Sequence, residues 1–327
     1  MNSSDSERRS RLLALKLRAL IRDHLGLEAD PEGTPEVFAL GAAFITDDAV
    51  WILIDGEATR ALGAASAWAL RFNKPMHMLV ERDSGVLARR AELLTLDITV
   101  WHVNDRQLLP AVAEPHLEST SALPEHVAFV ELITSSGADA VIEHGVVVGE
   151  VRGLEMCRVI TDEYTGESRL EVGMGAHDRE AFAMVHGGLP TEQALKQVID
   201  AVVPHRTEGA DQHPLNQFGA ERLYRWRALQ DPASVGFTSL ALCDPPVKRT
   251  NVKDAVPCVA RGATTSGTEA VAVFVNGVDL EVVPFALDAA SREGVGEVVI
   301  VARERDITPT MKKISEHSTI QLRFAYL

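Results

Sequence analysis

Apolar residues recur at helical spacing near the start of the chain. In Arg8 to Leu25 (RRSRLLALKLRALIRDHL), Leu12, Leu13, Leu17, Leu20 and Ile21 fall on one side beside Arg and Lys, which predicts an amphipathic helix. Residues 26–35 (GLEADPEGTP) are rich in Gly, Pro and acids, so helix and linker together fill 1–35. From Val37 to Val103 short apolar runs alternate with helical patterns. The runs VFALGAAFIT and AVWILID precede the helix ATRALGAASAWALRF; the strand PMHMLVE, the helix GVLARRAELL and the strand DITVWHV follow. Buried strands separated by helices of this length predict a βαβαβ lobe with parallel pairing over 36–118.

The end of the chain repeats this rhythm. AVAVFVNG reads as a strand, VPFALDAASRE as a helix, EVVIVARE as a strand, TPTMKKISEH as a helix and STIQLRFAYL as a last strand. VWILIDGEATRALGAA matches VAVFVNGVDLEVVPFALDAA in texture, and HMLVERDSG matches VVIVARERDIT, so we read an internal duplication. The segment 244–268 is rich in Pro, Gly and Thr and predicts a long connection leading into this second βαβαβ lobe, over 244–327.

Between the lobes the pattern changes, and an α+β unit is expected over 119–243. LPEHVAFVELITSSGAD begins with a helix that has Val127, Val130 and Ile133 on one face and carries Glu131. AVIEHGVVVGEV, GLEMCRVIT and SRLEVGMG read as three strands, with the polar turn DEYTGES before the last. The helices DREAFAMVH, TEQALKQVIDAVVPHR and AERLYRWRAL follow, with a loop over 206–220 before the last. The expected architecture is therefore α/β, two βαβαβ lobes flanking a central α+β unit.

Composition narrows the function classes. Hydrophobic residues make up 46% and charged residues 24%, within the globular range, so the body of the chain folds. The net charge of -15 disfavours a broad nucleic-acid footprint, which depends on clustered Lys and Arg. Cys157, Cys243 and Cys258 are odd in number and far apart, which points to reduced, buried thiols. No apolar run reaches the length of a membrane span and MNSSDSERRS is no signal peptide, so a cytoplasmic protein without membrane attachment is expected. A homo-oligomer is compatible with the amphipathic first helix.

The chemistry-bearing candidates lie in the middle. In GLEMCRVITDEYTGESRLEVGMG, Glu155 stands early in one strand and Glu171 in the next, across a polar hairpin. The order helix, three strands, helix over about 125–187 resembles the core of the PD-(D/E)xK nuclease superfamily. That resemblance implies Glu155 and Glu171 as magnesium ligands and Glu131 as an acid completing the site. Convergent carboxylates would give a hard cation its oxygen ligands and let it activate water against a phosphodiester.

The superfamily's lysine position is Gly173 here, so a cation must come from Arg179, His177 or Lys196 if the chemistry is kept. His177 beside Asp178 is also a candidate general base. The Gly173, Met174, Gly175 turn lacks the third glycine of a dinucleotide fold, and Asp178 fits a helix cap. No P-loop, GxSxG elbow or zinc-ligand spacing occurs. The GLEM, LEVG and HDREA segments also resemble uncharacterised conserved actinobacterial proteins, a resemblance that implies no activity.

Three functions follow as expectations. The first is a noncatalytic interaction or regulatory protein on a degenerate nuclease-like scaffold. The second is a magnesium-dependent phosphodiesterase. The third is a small-ligand or nucleotide binder using the carboxyl ends of the βαβαβ strands.

Overall fold

The computed structural model describes residues 3–186, 190–207, 213–214, 218–249 and 256–327, and forms a mixed α/β protein with sheets of six, four and five strands. The first helix, α1 (Ser3–Leu25), precedes β1 (Thr34–Phe38), β2 (Gly41–Ile45), β3 (Val50–Ile54), α2 (Leu62–Ala69), β4 (Met76–Val80), α3 (Ser84–Ala91), β5 (Ile98–Asn104) and β6 (Gln107–Pro110). These strands stand in chain order in one sheet. The expected parallel βαβαβ is β3, β4 and β5; β1, β2 and β6 are added antiparallel. The run VFALGAAFIT, expected as one strand, is two, because the chain turns back at Ala39 and Leu40. Helix α1 lays Leu17, Leu20 and Ile21 against Ala42, Phe44, Trp51 and Leu53, while Leu12 is exposed.

The central segment holds α4 (Pro124–Val127), α5 (Val130–Ser135), β7 (Asp139–Glu143), β8 (Val146–Val151), β9 (Leu154–Thr161), β10 (Ser168–Val172), α6 (Ala176–His186), α7 (Thr191–Val202) and α8 (Ala220–Gln230). Its sheet is antiparallel throughout, in the order β10-β9-β8-β7. AVIEHGVVVGEV, expected as one strand, is a hairpin. His144 and Gly145 both have positive φ (48° and 77°), as do Arg152 and Gly153 (47° and 81°) at the next turn. Two-residue turns of this handedness match the twist of paired strands and close tight hairpins. The expected single helix is broken into α4 and α5. The loop expected over 206–220 lies mostly outside the described residues.

The last sheet contains β11 (Ala241–Leu242), β12 (Cys258–Ala263), β13 (Glu269–Phe274), β14 (Glu297–Ala302) and β15 (Gln321–Tyr326), in that order, with α9 (Val282–Glu293) and α10 (Pro309–Ser315) between its later strands. Part of the stretch expected as connection is thus β12, which pairs with β13 over Cys258 to Ala263. All three cysteines are free, with Cys157 and Cys258 buried. Burial pushes each thiol up to about 12, which leaves them protonated and unreactive near neutral pH. Among the described residues no helix is long and apolar enough to cross a membrane.

The residues gather into two compact units that do not follow chain order. One joins Met1–His116 to Val278–Ser291 and Ile307–Leu322, so it takes in α10 and most of α9. Within it, Arg89 and Arg90 on α3 donate to Asp288 on α9 at 2.8 and 2.9 Å. Arg90 also donates to Glu281 at 2.9 Å, and the Gly63 amide reaches the same carboxylate at 2.7 Å. The other unit comprises Leu117–Gly277, Arg292–Asp306 and Arg323–Leu327. It holds two cores, one on the four-stranded sheet and one on the five-stranded sheet.

Candidate functional site: the charged face of the central sheet

The two faces of the β7–β10 sheet have opposite chemistry. One carries Val147, Val151, Leu154, Met156, Cys157, Val159, Leu170 and Val172, packed against Ile133 of α5 and Leu195, Ile199 and Val202 of α7. The other carries Glu143 and Asp139 on β7, Glu150 on β8, Glu155 and Arg158 on β9 and Glu171 on β10, as the register requires.

Glu155 reaches this face only because β9 is irregular. Gly149 pairs with Cys157 and Glu150 pairs with Glu155, so the register slips by one and Met156 has no partner on β8. Met156 and Cys157 both enter the apolar core, and the alternation before them is reversed. A β-bulge re-aims side chains in this way. Glu155 thereby sits beside Arg158, which donates to both of its oxygens at 3.0 and 2.9 Å.

Arginines cover the acidic face. Glu155, 1% exposed, also meets Arg179 of α6 at 3.3 Å and Arg249 at 3.5 Å. Arg179 uses its Nε for Glu171, at 3.3 Å, so one guanidinium joins the two expected metal ligands. From α8, Arg222 and Arg225 pair with Glu143 and Glu150. The opposite side of the same helix places Tyr224 and Ala228 in the five-stranded core. Burial alone would raise the Glu143 carboxyl, but Arg225 and Arg222 outweigh it and hold it at about 2.

The residues expected from sequence are only partly brought together. Glu155 and Glu171 share a face and a guanidinium. Glu131 is exposed on α5, the helix that covers the apolar side of the sheet. The His177 side chain is fully exposed, 3.9 Å from Glu180. Lys196 is exposed on α7. Among the described residues no group of three or more His, Cys, Asp or Glu side chains is placed to hold a metal ion.

Gly173, where the superfamily has its lysine, has φ 140°, and a Cβ there would lie 2.7 Å from the Arg179 amide nitrogen. Two signals of this site were present in the sequence without being used. Arg222 and Arg225 stand three apart on one helix, and Met156 with Cys157 breaks the apolar alternation of β9.

A small cleft of about 80 Å³ opens on this face, lined among others by Glu143, His144, Glu155 and Arg158 and by Arg222, Lys248 and Arg249. His144, at the β7–β8 turn, is 7% exposed, and neither ring nitrogen makes a well-formed hydrogen bond. Its nearest carboxylate oxygen, on Asp244, is 3.8 Å away, and Asp244 also accepts the His144 amide at 2.7 Å. Burial lowers the His144 pKa; Asp244 and the Pro245 backbone oppose this, and Arg292 and Lys248 add to it. Comparison with family models, curated proteins and solved structures finds no match for this chain.

Proposed function

We propose that the chain is a noncatalytic binding protein whose central charged sheet face serves recognition rather than metal-dependent hydrolysis. The carrying observation is the environment of Glu155. Its oxygens accept from Arg158, Arg179 and Arg249, so the lone pairs a divalent cation would need are turned to guanidinium groups. The backbone at Gly173 supports the same reading, since Arg179 leaves no room for the side chain that phosphodiester chemistry would use there.

Calorimetry with magnesium and with manganese, on the wild type and on Glu171→Ala, tests this reading beside a cleavage assay on single- and double-stranded DNA and RNA. No saturable metal binding and no cleavage is the expected result. Metal binding that is lost in Glu171→Ala, together with cleavage, would replace it by the phosphodiesterase reading.

The two mixed sheets support an internal duplication. In each, two antiparallel pairings lead into a parallel one: β1-β2-β3-β4 in the first sheet and β11-β12-β13-β14 in the last. In each, a second helix crossover then delivers a further strand to the same edge, β5 or β15.

A further inference from the structure

The cleft on the charged face has an uneven charge balance. Four of its lining side chains are cations, Arg158, Arg222, Lys248 and Arg249, against the carboxylates of Glu143 and Glu155. Both carboxylates are already matched. Glu143 and the neighbouring Glu150 share Arg222 and Arg225, and Glu155 takes the paired donors of Arg158 besides Arg179, so the surplus lies on Lys248 and Arg249. Arg249 is largely buried, yet its contact to Glu155 is 3.5 Å, at the limit of a hydrogen bond. Lys248 makes no ion pair among the described residues. His144 adds a buried imidazole that makes no well-formed hydrogen bond, with only the Pro245 backbone and the Asp244 carboxylate, 3.8 Å away, beside its ring.

A buried guanidinium with incomplete pairing, Arg249, and a buried imidazole without a well-formed hydrogen bond are costly unless something satisfies them. Water alone would meet the hydrogen bonds and leave the charge. The size of the cleft selects the occupant. About 80 Å³ is several times what one water needs, roughly 10–15 Å³, and well below the roughly 300 Å³ of the smallest drug-sized pockets.

We propose that this cleft binds a small tetrahedral oxyanion, a phosphate or sulfate group, held by Lys248, Arg249 and Arg158 with His144 as a hydrogen-bond partner. The proposal rests on the recognition reading above and names its ligand class. The same chemistry is offered by the free ion and by the phosphate of a larger metabolite whose remainder projects past the exposed Lys248.

Isothermal titration calorimetry of the full chain with inorganic phosphate, with sulfate and with glycerol phosphate tests the proposal, chloride serving as the control. Saturable binding of phosphate or of its ester is expected, with a loss of about tenfold or more in Lys248→Ala and in His144→Gln. Lys248 is exposed, so its variant keeps the fold, which a melting curve checks. Tighter binding of the ester identifies a metabolite phosphate, and tighter binding of the free ions identifies an inorganic anion.

Absence of binding up to roughly 10 mM, the weak end of specific association, overturns the proposal, as does binding unchanged in both variants. Either failure leaves the noncatalytic reading standing, because that reading falls only with metal-dependent cleavage.

Discussion

Glu281 shows how one buried carboxyl ties stability to pH. It accepts from Arg90 and from the Gly63 amide, yet burial raises its pKa from 4.5 to about 7 against the pull of Arg90. The native state therefore holds a proton between about 4.5 and about 7 that the unfolded state has released, and in this window stability falls as pH rises. The contribution is fully present below about 4.5 and gone above about 7, on the order of 1–3 kcal/mol. Glu143 acts with the opposite sign. Its depressed pKa stabilises the fold above 4.5, and this is lost on acidification towards about 2. Urea unfolding of wild type and Glu281→Gln at pH 5, 6, 7 and 8 isolates the first group. The variant should lose the downward slope between pH 5 and 7 and run parallel to wild type above it. Parallel curves throughout would mean that Arg90 holds Glu281 ionised over the whole range.

Elements were legible where a local pattern sets them and illegible where register does. The parallel β3-β4-β5 core with its two helices could be read because fully buried strands are continuous apolar runs. The turn that splits β1 from β2 at Ala39 and Leu40 could not, since neither residue is a turn former. The His144-Gly145 turn has its glycine at the second position, but the turn lies inside a continuous run of strand-like residues that disguises it. Glu155 and Glu171, paired across a hairpin in the sequence, do share a sheet face and the Arg179 guanidinium. The arginines that cover this face come from β9, α6, α8 and the segment at 249, and only the fold brings those together.

The bulge at Met156 is the element on which that face depends, and Gly149 is its partner strand's contribution. A Cβ at Gly149 would lie 2.5 Å from the Cys157 sulfur and 2.9 Å from an Ile133 methyl. Gly149→Ala should cost roughly 1–3 kcal/mol by overpacking. The double variant with Cys157→Ala should recover much of the loss, since the two share one space. Denaturant midpoints of the three variants measure that coupling, and additive losses would show that the sheet absorbs the methyl elsewhere.

At the scale of the molecule, the first unit is closed by a segment far along the chain. Arg89 and Asp288 are 199 residues apart, and Asp288 is fully buried between Arg89 and Arg90, with His116 3.5 Å away. Leu94 and Ser318 form an antiparallel bridge, each three residues beyond the end of its helix, α3 or α10. If α9 completes the unit, disturbing it must loosen the N-terminal sheet. Asp288→Asn leaves two buried guanidinium groups short of a counter-charge, at a cost of about 3–5 kcal/mol. Hydrogen exchange read by mass spectrometry should then show faster exchange in β3, β4 and β5 together with α9, and unchanged rates in β7 to β10. Faster exchange confined to α9 would mean that residues 36–118 hold their fold without it. Faster exchange in every sheet would mean that the two units unfold as one.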